Sequence, residues 1–308
     1  MRLDLAKAFT KKAAEIAMRH FRRTESRRKG NEGIVTDADG EIEEFVKLRI
    51  REVFRNEKIL GEESGFTNGE ENAAHIPAAA ALKDENDLIA RLGGLPKKQT
   101  VKDLFKSLPA NDPAATAAAS SEGALWAIDP IDGTSAFAAS LPVWAISVGV
   151  MLNGRPDIGV MSLPAVDELY WGDESGVFLN NKRLRMRAGT DQFDSESSLL
   201  VPSNSHRKYT IDFPGKTRSM GSLAAHMAYV AAGCSDAAIL GRPHLWDIAG
   251  GAAMILHQGG VVLTFSGGPC DWKPLIAGER PPEPLICGME KSVRAILKYV
   301  KIRAPIDY

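Results

Sequence analysis

Leu5, Phe9, Ala13 and Ile16 recur at helical spacing, which predicts an amphipathic helix at the start of the chain. A basic, polar stretch from Arg22 to Gly33 follows. A solvated helix end, where the macrodipole favours Lys and Arg, explains it more simply than contact with phosphate does. Ile42, Phe45, Val46, Ile50 and Val53 predict a second helix, with Thr36-Asp37-Ala38-Asp39 at its start. Lys58-Ile59-Leu60 reads as a short buried strand ending in Gly61-Glu62-Glu63-Ser64-Gly65. The apolar run from Leu125 to Ile128 ends in Asp129-Pro130-Ile131-Asp132-Gly133-Thr134. Two strands thus carry acids at their carboxyl ends, where open α/β sheets commonly build sites.

Between these acidic turns, Phe66 to Ala124 is rich in alanine and polar residues, with weak helical patterns over Ala81 to Leu92 and Val101 to Leu108, and reads as an insertion over the edge of the site. Trp144, Ile146, Val148, Val150 and Leu152 alternate as a strand, and Asn153-Gly154 is a strong hairpin turn. Short strands continue to about Leu184, with a second hairpin at Asn180-Asn181. From Ser198 strands and helices alternate: Leu199 to Val201, a helix after Gly221, a strand near Ala237 to Leu240, a helix from Trp246 to His257 closed by Gly259-Gly260, and a strand from Val261 to Phe265. There is no internal repeat. The layout is a layered α/β sandwich with a boundary near Arg187: an N-terminal part over 1–187, interrupted at 66–124, and a C-terminal part over 188–308.

A chain of 308 residues buries a core without covalent staples. With 38 Lys and Arg against 39 Asp and Glu, its net charge of -1 gives no field that would hold nucleic acid or an acidic membrane. Lys182, Arg183, Arg185 and Arg187 fit a solvated strand edge better than a nucleic-acid surface. Apolar residues at 44% and charged residues at 25% describe an ordinary soluble globular protein. The longest apolar run, Pro142 to Leu152, is too short to span a bilayer, and Met1-Arg2-Leu3-Asp4 does not open a signal peptide. Cys234, Cys270 and Cys287 form no CxxC and read as buried apolar residues of a cytoplasmic protein.

The Asp-Pro-Ile-Asp-Gly-Thr turn carries the densest chemistry. Pro130 fixes its own φ and keeps Asp129 extended, so Asp129, Asp132 and the Ile131 carbonyl can aim oxygen ligands at one point. Such hard donors suit magnesium, which takes the rest of its shell from water and substrate phosphate. Thr134 and Ser135 can open a helix whose free N–H groups bind phosphate. Alternatively, Asp132 and Thr134 simply cap that helix. Glu62 and Glu63 follow the first strand, and Asp247 stands at a predicted helix start, where an acid has an ordinary use. Yet Asp39, Glu62, Asp129, Asp132 and Asp247 share apolar or small neighbours that would partly bury them, and clustered carboxylates repel unless cations neutralise them.

Gly61-Glu62-Glu63-Ser64, Trp126 to Thr134 and Trp246-Asp247-Ile248-Ala249-Gly250 resemble the three signatures of the inositol monophosphatase superfamily of magnesium-dependent, lithium-sensitive phosphatases, and Val35-Thr36-Asp37-Ala38-Asp39 fits a further element. The resemblance runs from about Val35 to Ile286 outside the insertion. It implies a layered αβαβα fold, often dimeric, that hydrolyses a phosphate monoester of a small metabolite. By motif position it implies Glu62, Asp129 and the Ile131 carbonyl at a first Mg2+, Asp129, Asp132 and Asp247 at a second, and a weaker third ion near Glu62 and Asp39. Thr134 with Asp39 would orient the attacking water, and the N–H groups of Gly133 and Thr134 would hold phosphate oxygens.

Gly221 and Ser222 correspond to the segment that touches the alcohol part of the substrate, while Leu240 stands where inositol monophosphatases often carry a Glu for inositol hydroxyls. The insertion resembles the inositol polyphosphate 1-phosphatase branch or the 3'(2'),5'-bisphosphate nucleotidases, which take a substrate with a second phosphate. Ser205, His206, Arg207, Lys208 and Arg242 are candidates for that group, with surface solvation the simpler reading of each. His244 either lines the pocket or is a satisfied loop histidine. The resulting expectation is hydrolysis of a sugar or inositol (poly)phosphate, with a bisphosphate nucleotidase or a non-catalytic regulatory protein that retains the fold as alternatives.

Overall fold

The computed structural model describes residues 1–23, 26–28, 34–67 and 123–303. Helix α1 (Arg2–His20) and helix α2 (Asp37–Val53) form the first layer. Between them β1 (Ser26–Arg28) and β2 (Ile34–Thr36) pair as a small antiparallel ribbon. The basic stretch after α1 is therefore partly a strand pair rather than only a solvated tail. All three β1 residues are exposed, so no alternation betrays it.

The second layer is an eight-stranded sheet built from β3 (Lys58–Gly61), β4 (Gly65–Thr67), β5 (Leu125–Asp132), β6 (Ala145–Leu152), β7 (Arg155–Leu163), β8 (Glu168–Asp173), β9 (Gly176–Leu179) and β10 (Lys182–Arg183), in the order β10-β9-β8-β7-β6-β5-β3-β4. Among the described residues only β3 and β5 pair in parallel in this sheet, and helix α3 (Thr134–Ala138) follows β5 directly. The expected turns join β6 to β7 at Asn153-Gly154 and β9 to β10 at Asn180-Asn181, with Asn153, Gly154 and Asn180 at φ of 50, 76 and 53°.

Beyond Arg183 the chain crosses to a second sheet. Its strands are β11 (Ser198–Leu200), β13 (Lys216–Arg218), β14 (Ala237–Gly241), β15 (Val261–Thr264) and β16 (Leu285–Gly288), ordered β13-β11-β14-β16-β15. Helix α4 (Ser205–Lys208) leads into β12 (Tyr209–Ile211), which pairs with the final strand β17 (Val300–Ile302). Helices α5 (Leu223–Ala231) and α6 (Leu245–Leu256) lie between the two sheets, α7 (Trp272–Ile276) follows β15, and α8 (Glu290–Ile296) covers the outer face of the second sheet. The order of layers is α, β, α, β, α.

Strand β6 shows how its sequence serves two cores. Ile146, Val148 and Val150 pack toward α1 and α2, as their alternation predicts, but the intervening residues are buried too. Those positions are Ala145, Ser147 and Gly149, small because α6 lies directly on them. A Cβ on Gly149 would stand 2.5 Å from the Ala249 side chain, and one on Gly159 would stand 2.0 Å from the Gly250 carbonyl oxygen. Close approach of helix to sheet thus requires glycine here, and it fixes α6 on the face from which Asp129 projects.

Two expectations need correction. Cys270 and Cys287 are buried, but Cys234 is exposed, in the turn that closes α5 at Gly233. Arg187 is not a free edge charge: its guanidinium bonds Asp236 at 3.1 Å and the carbonyls of Gly233 and Cys234 at 2.8 and 3.0 Å. The helical patterns expected within the insertion lie outside the described residues.

Candidate active site

Parallel pairing of Gly61 with Ile128 brings the ends of β3 and β5 together, and the Glu62 N–H donates to the Ile128 carbonyl at 3.2 Å. The β5–β6 register then shifts between Asp129 and Asp132, where Pro130 offers no N–H to the ladder. From the opposite layer α6 presents Asp247 in its first turn, with the Asp247 carboxylate accepting the His244 N–H at 2.7 Å. Oxygens of Asp129, Asp132 and Asp247 all lie within 4.8 Å of one another. Asp132 accepts the Ser222 hydroxyl and the Ala224 N–H at its Oδ2.

Burial dominates the electrostatics of this cluster. It pushes Asp129, 2% exposed, well above the usual carboxylate range, and Glu62, Asp132 and Asp247 add repulsion. Burial followed by Asp247 raises Glu62 to about 8 and Asp132 to about 7. Asp247 itself is raised to about 6 by burial, opposed by the His244 N–H and by Arg280. The Asp129 Oδ1 atom is buried without a hydrogen-bond partner. Converging, mutually repelling oxygens and an orphaned buried one are what a hard divalent cation satisfies, so these residues could hold one.

Thr134 closes the other side of the cluster. Its Oγ1 lies 3.0 Å from the Ile131 carbonyl oxygen and 3.4 Å from Asp39 Oδ1. Asp39 is fully buried because it also caps α2, its Oδ2 accepting the Thr36 N–H at 2.7 Å and the Thr36 hydroxyl at 2.6 Å. Burial raises Asp39 to about 6 against those two bonds. Gly133 and Gly221 lie back to back, since a Cβ on Gly133 would stand 2.9 Å from the Gly221 carbonyl oxygen. Ser135 is exposed in the first turn of α3.

Three contributors escaped the sequence reading. Glu43, 2% exposed, accepts the N–H groups of Glu63 and Ser64 at 2.8 and 3.0 Å and so shapes the Glu62 turn. It lies one turn after Asp39 on α2, the signal that would have found it. A Cβ on Gly61 would stand 2.5 Å from this carboxylate. His226, 1% exposed, accepts the Met220 N–H at Nε2 and holds the turn before Ser222. Arg280 joins a cleft that opens from Asp132 and Asp247 past Ser222 and Leu240 to Lys208 and Arg242. Ser205, His206 and Arg207 do not line that cleft, and His244 stacks on Trp246 with ring centroids 4.2 Å apart. Although Ser222 lines the cleft, its hydroxyl is taken up by Asp132 and by the Ala225 N–H at 3.0 Å.

A model of the inositol monophosphatase family matches residues 2–283. The chain belongs to the inositol monophosphatase family. Among its relatives in this family, a Thermotoga maritima protein named fructose-1,6-bisphosphatase/inositol-1-monophosphatase is 28% identical over 280 residues, covering 86% of both chains. The inositol-1-monophosphatase of Rhizobium meliloti is 33% identical over 190 residues, 58% of this chain and 68% of that one. A solved structure of a Thermotoga maritima IMPase superposes with a TM-score of 0.69 at 24% identity, covering 97% and 96% of the two chains. Family membership and these relatives support a phosphatase acting on a phosphate monoester. Residues 68–122 of the insertion, on which the expected likeness to the polyphosphate branches rests, lie outside the described residues. No helix among the described residues is long and apolar enough to cross a membrane.

Proposed function

We propose that the protein is a magnesium-dependent phosphomonoesterase acting on a small phosphorylated sugar or inositol. The observation that carries this reading is the convergence of Asp129, Asp132 and Asp247 within 4.8 Å, beside the Thr134 hydroxyl. Glu62, Asp129, Asp132, Asp247 and the Ile131 carbonyl would hold two Mg2+ ions, with Asp39 and Glu62 near a third. Bound there, magnesium supplies positive charge that neutralises the phosphate and lowers the pKa of the attacking water.

The chain's own groups do the positioning. Thr134 has one proton and two acceptors, the Ile131 carbonyl and Asp39, within reach. Whichever takes it, the hydroxyl lone pairs are left to accept from a water and orient it. The Thr36 bonds hold Asp39 rigid for that task. Backbone N–H groups of Gly133 and Thr134 would cradle phosphate oxygens, and the Gly221-Ser222 turn would border the alcohol.

Phosphate release from a panel of phosphorylated sugars and inositols, with magnesium and with EDTA, tests the proposal. Release that requires magnesium and disappears in folded Asp129→Asn is expected. Release that persists in EDTA, or none from any compound, overturns it.

A further inference from the structure

We propose that Ser147 is a positioning residue for the candidate metal site, its hydroxyl donating to the Asp129 carboxylate when that carboxylate binds a divalent cation. The inference deepens the phosphomonoesterase reading and rests on it. Buried polar atoms rarely go without a hydrogen bond, yet Ser147 Oγ and Asp129 Oδ1 are both buried without a partner. The antiparallel register of β5 and β6 sets these two residues directly opposite each other.

Opposite residues of such a pair share one face of the sheet. Here it is the face toward α6: Leu125 and Ala127, which alternate with Asp129 along β5, belong to the core between the two sheets, as does Ala145, two residues before Ser147. Their Cβ atoms are about 5 Å apart in such pairs, so turning the serine about its Cα–Cβ bond brings the hydroxyl within reach of a carboxylate oxygen. In this structure the hydroxyl lies against the helix, where a Cβ on Gly250 would stand 3.2 Å from it.

Space alone does not call for serine at this position. Ala145, fully buried on the same face, shows that alanine meets the demand that α6 makes on β6. A buried hydroxyl with no partner costs free energy that alanine would not, so its use lies where an acceptor is formed. Asp129 bound to a cation is such an acceptor, because a ligating carboxylate is ionised and a hydrogen bond to it fixes its orientation. Glu62, Asp132 and Asp247 surround Asp129 with charges that repel it, and when ionised they can only accept. Ser147 supplies a donor without adding charge to the cluster.

Magnesium titrated calorimetrically into metal-stripped protein, together with melts in EDTA, tests the proposal. Ser147→Ala should weaken magnesium binding by about tenfold. Its melt in EDTA should stay level or rise, because the variant sheds an unpaired hydroxyl, whereas a residue needed only for packing would lower it. A crystal structure of the unmodified protein with magnesium bound, a readout independent of how the variant folds, should place Ser147 Oγ about 2.5–3.0 Å from an Asp129 oxygen. Magnesium affinity equal to that of the unmodified protein, affinity lost together with a lower melt in EDTA, or a Ser147 hydroxyl bonded elsewhere in the magnesium-bound crystal overturns the role of Ser147 and leaves the phosphatase reading standing. No magnesium binding by the folded, unmodified protein overturns both.

Discussion

Stripping divalent cations with EDTA should make the stability of this protein fall as pH rises from about 4 to about 8.5. Asp132 sets the scale. It is 8% exposed, and burial followed by repulsion from Asp247 raises it from 3.8 to about 7. A carboxyl that holds its proton more tightly in the folded chain than in the unfolded one stabilises the fold fully below the unfolded value. That contribution is lost as the pH climbs through the folded value. For Asp132 the difference corresponds to about 4 kcal/mol, or about 8 °C in Tm at about 2 °C per kcal/mol for a chain of this length. Glu62, Asp129 and Asp247 are displaced in the same direction, but protonating one relieves the others, so the contributions do not add. Calorimetric melts across this window, in EDTA and in saturating magnesium, provide the measurement. The EDTA series should slope downward by several degrees, and magnesium should flatten it, because a cation replaces the protons as the partner of the acids. An EDTA series that stays flat, or the same slope with and without magnesium, refutes the argument.

Asp129→Asn should lower magnesium-dependent turnover by about a thousandfold or more while the metal-free melt stays level or rises, since the amide removes one of the mutually repelling charges; turnover near the unmodified rate in a folded variant rules out a central role. Lithium should inhibit at saturating magnesium far more than sodium or potassium, as the family resemblance at Asp129, Asp132 and Asp247 implies, and a titration showing equal effects of the three ions contradicts it. Leu240→Glu should raise kcat/KM for inositol 1-phosphate by about tenfold by supplying an acceptor for ring hydroxyls, an expectation that unchanged kinetics would remove. Gly61→Ala should cost about 1–3 kcal/mol by pushing Glu43 off the Glu63 and Ser64 N–H groups, read as a lower midpoint in urea, whereas a midpoint equal to that of the unmodified chain would show that Glu43 moves aside freely.

The acids of the candidate site were legible because their chemistry is local: each follows a recognisable strand end or begins a helix. The strand periodicity of β6 and the turns at Asn153-Gly154 and Asn180-Asn181 were legible for the same reason. Contacts made across long sequence separations were not. Arg280 lines the cleft and bonds the Arg242 carbonyl, and no spacing rule links positions 38 residues apart. Glu43 looks like a solvated charge on an amphipathic helix until the Glu62 turn folds over it. Strand β1 is hidden by its exposure, since a strand wet on both faces has no periodicity to show. Ser222 lines the cleft as expected, and nothing local announced that its hydroxyl also donates to Asp132, a partner 90 residues away.

The glycine seam between α6 and the first sheet makes the site a gauge of how completely the molecule has assembled. Asp129 and Asp132 travel with β5, whereas Asp247 travels with α6, and Gly250, one turn further along α6, is where that helix touches the strands. A bulkier residue at Gly159 would have to displace the Gly250 carbonyl and would carry Asp247 away from its two partners, although every acid would still be present. Capacity to gather cations would then return only after helix and sheet have docked at the correct depth. During refolding, binding of divalent ions should therefore trail the recovery of secondary structure and coincide with the final consolidation of the interior.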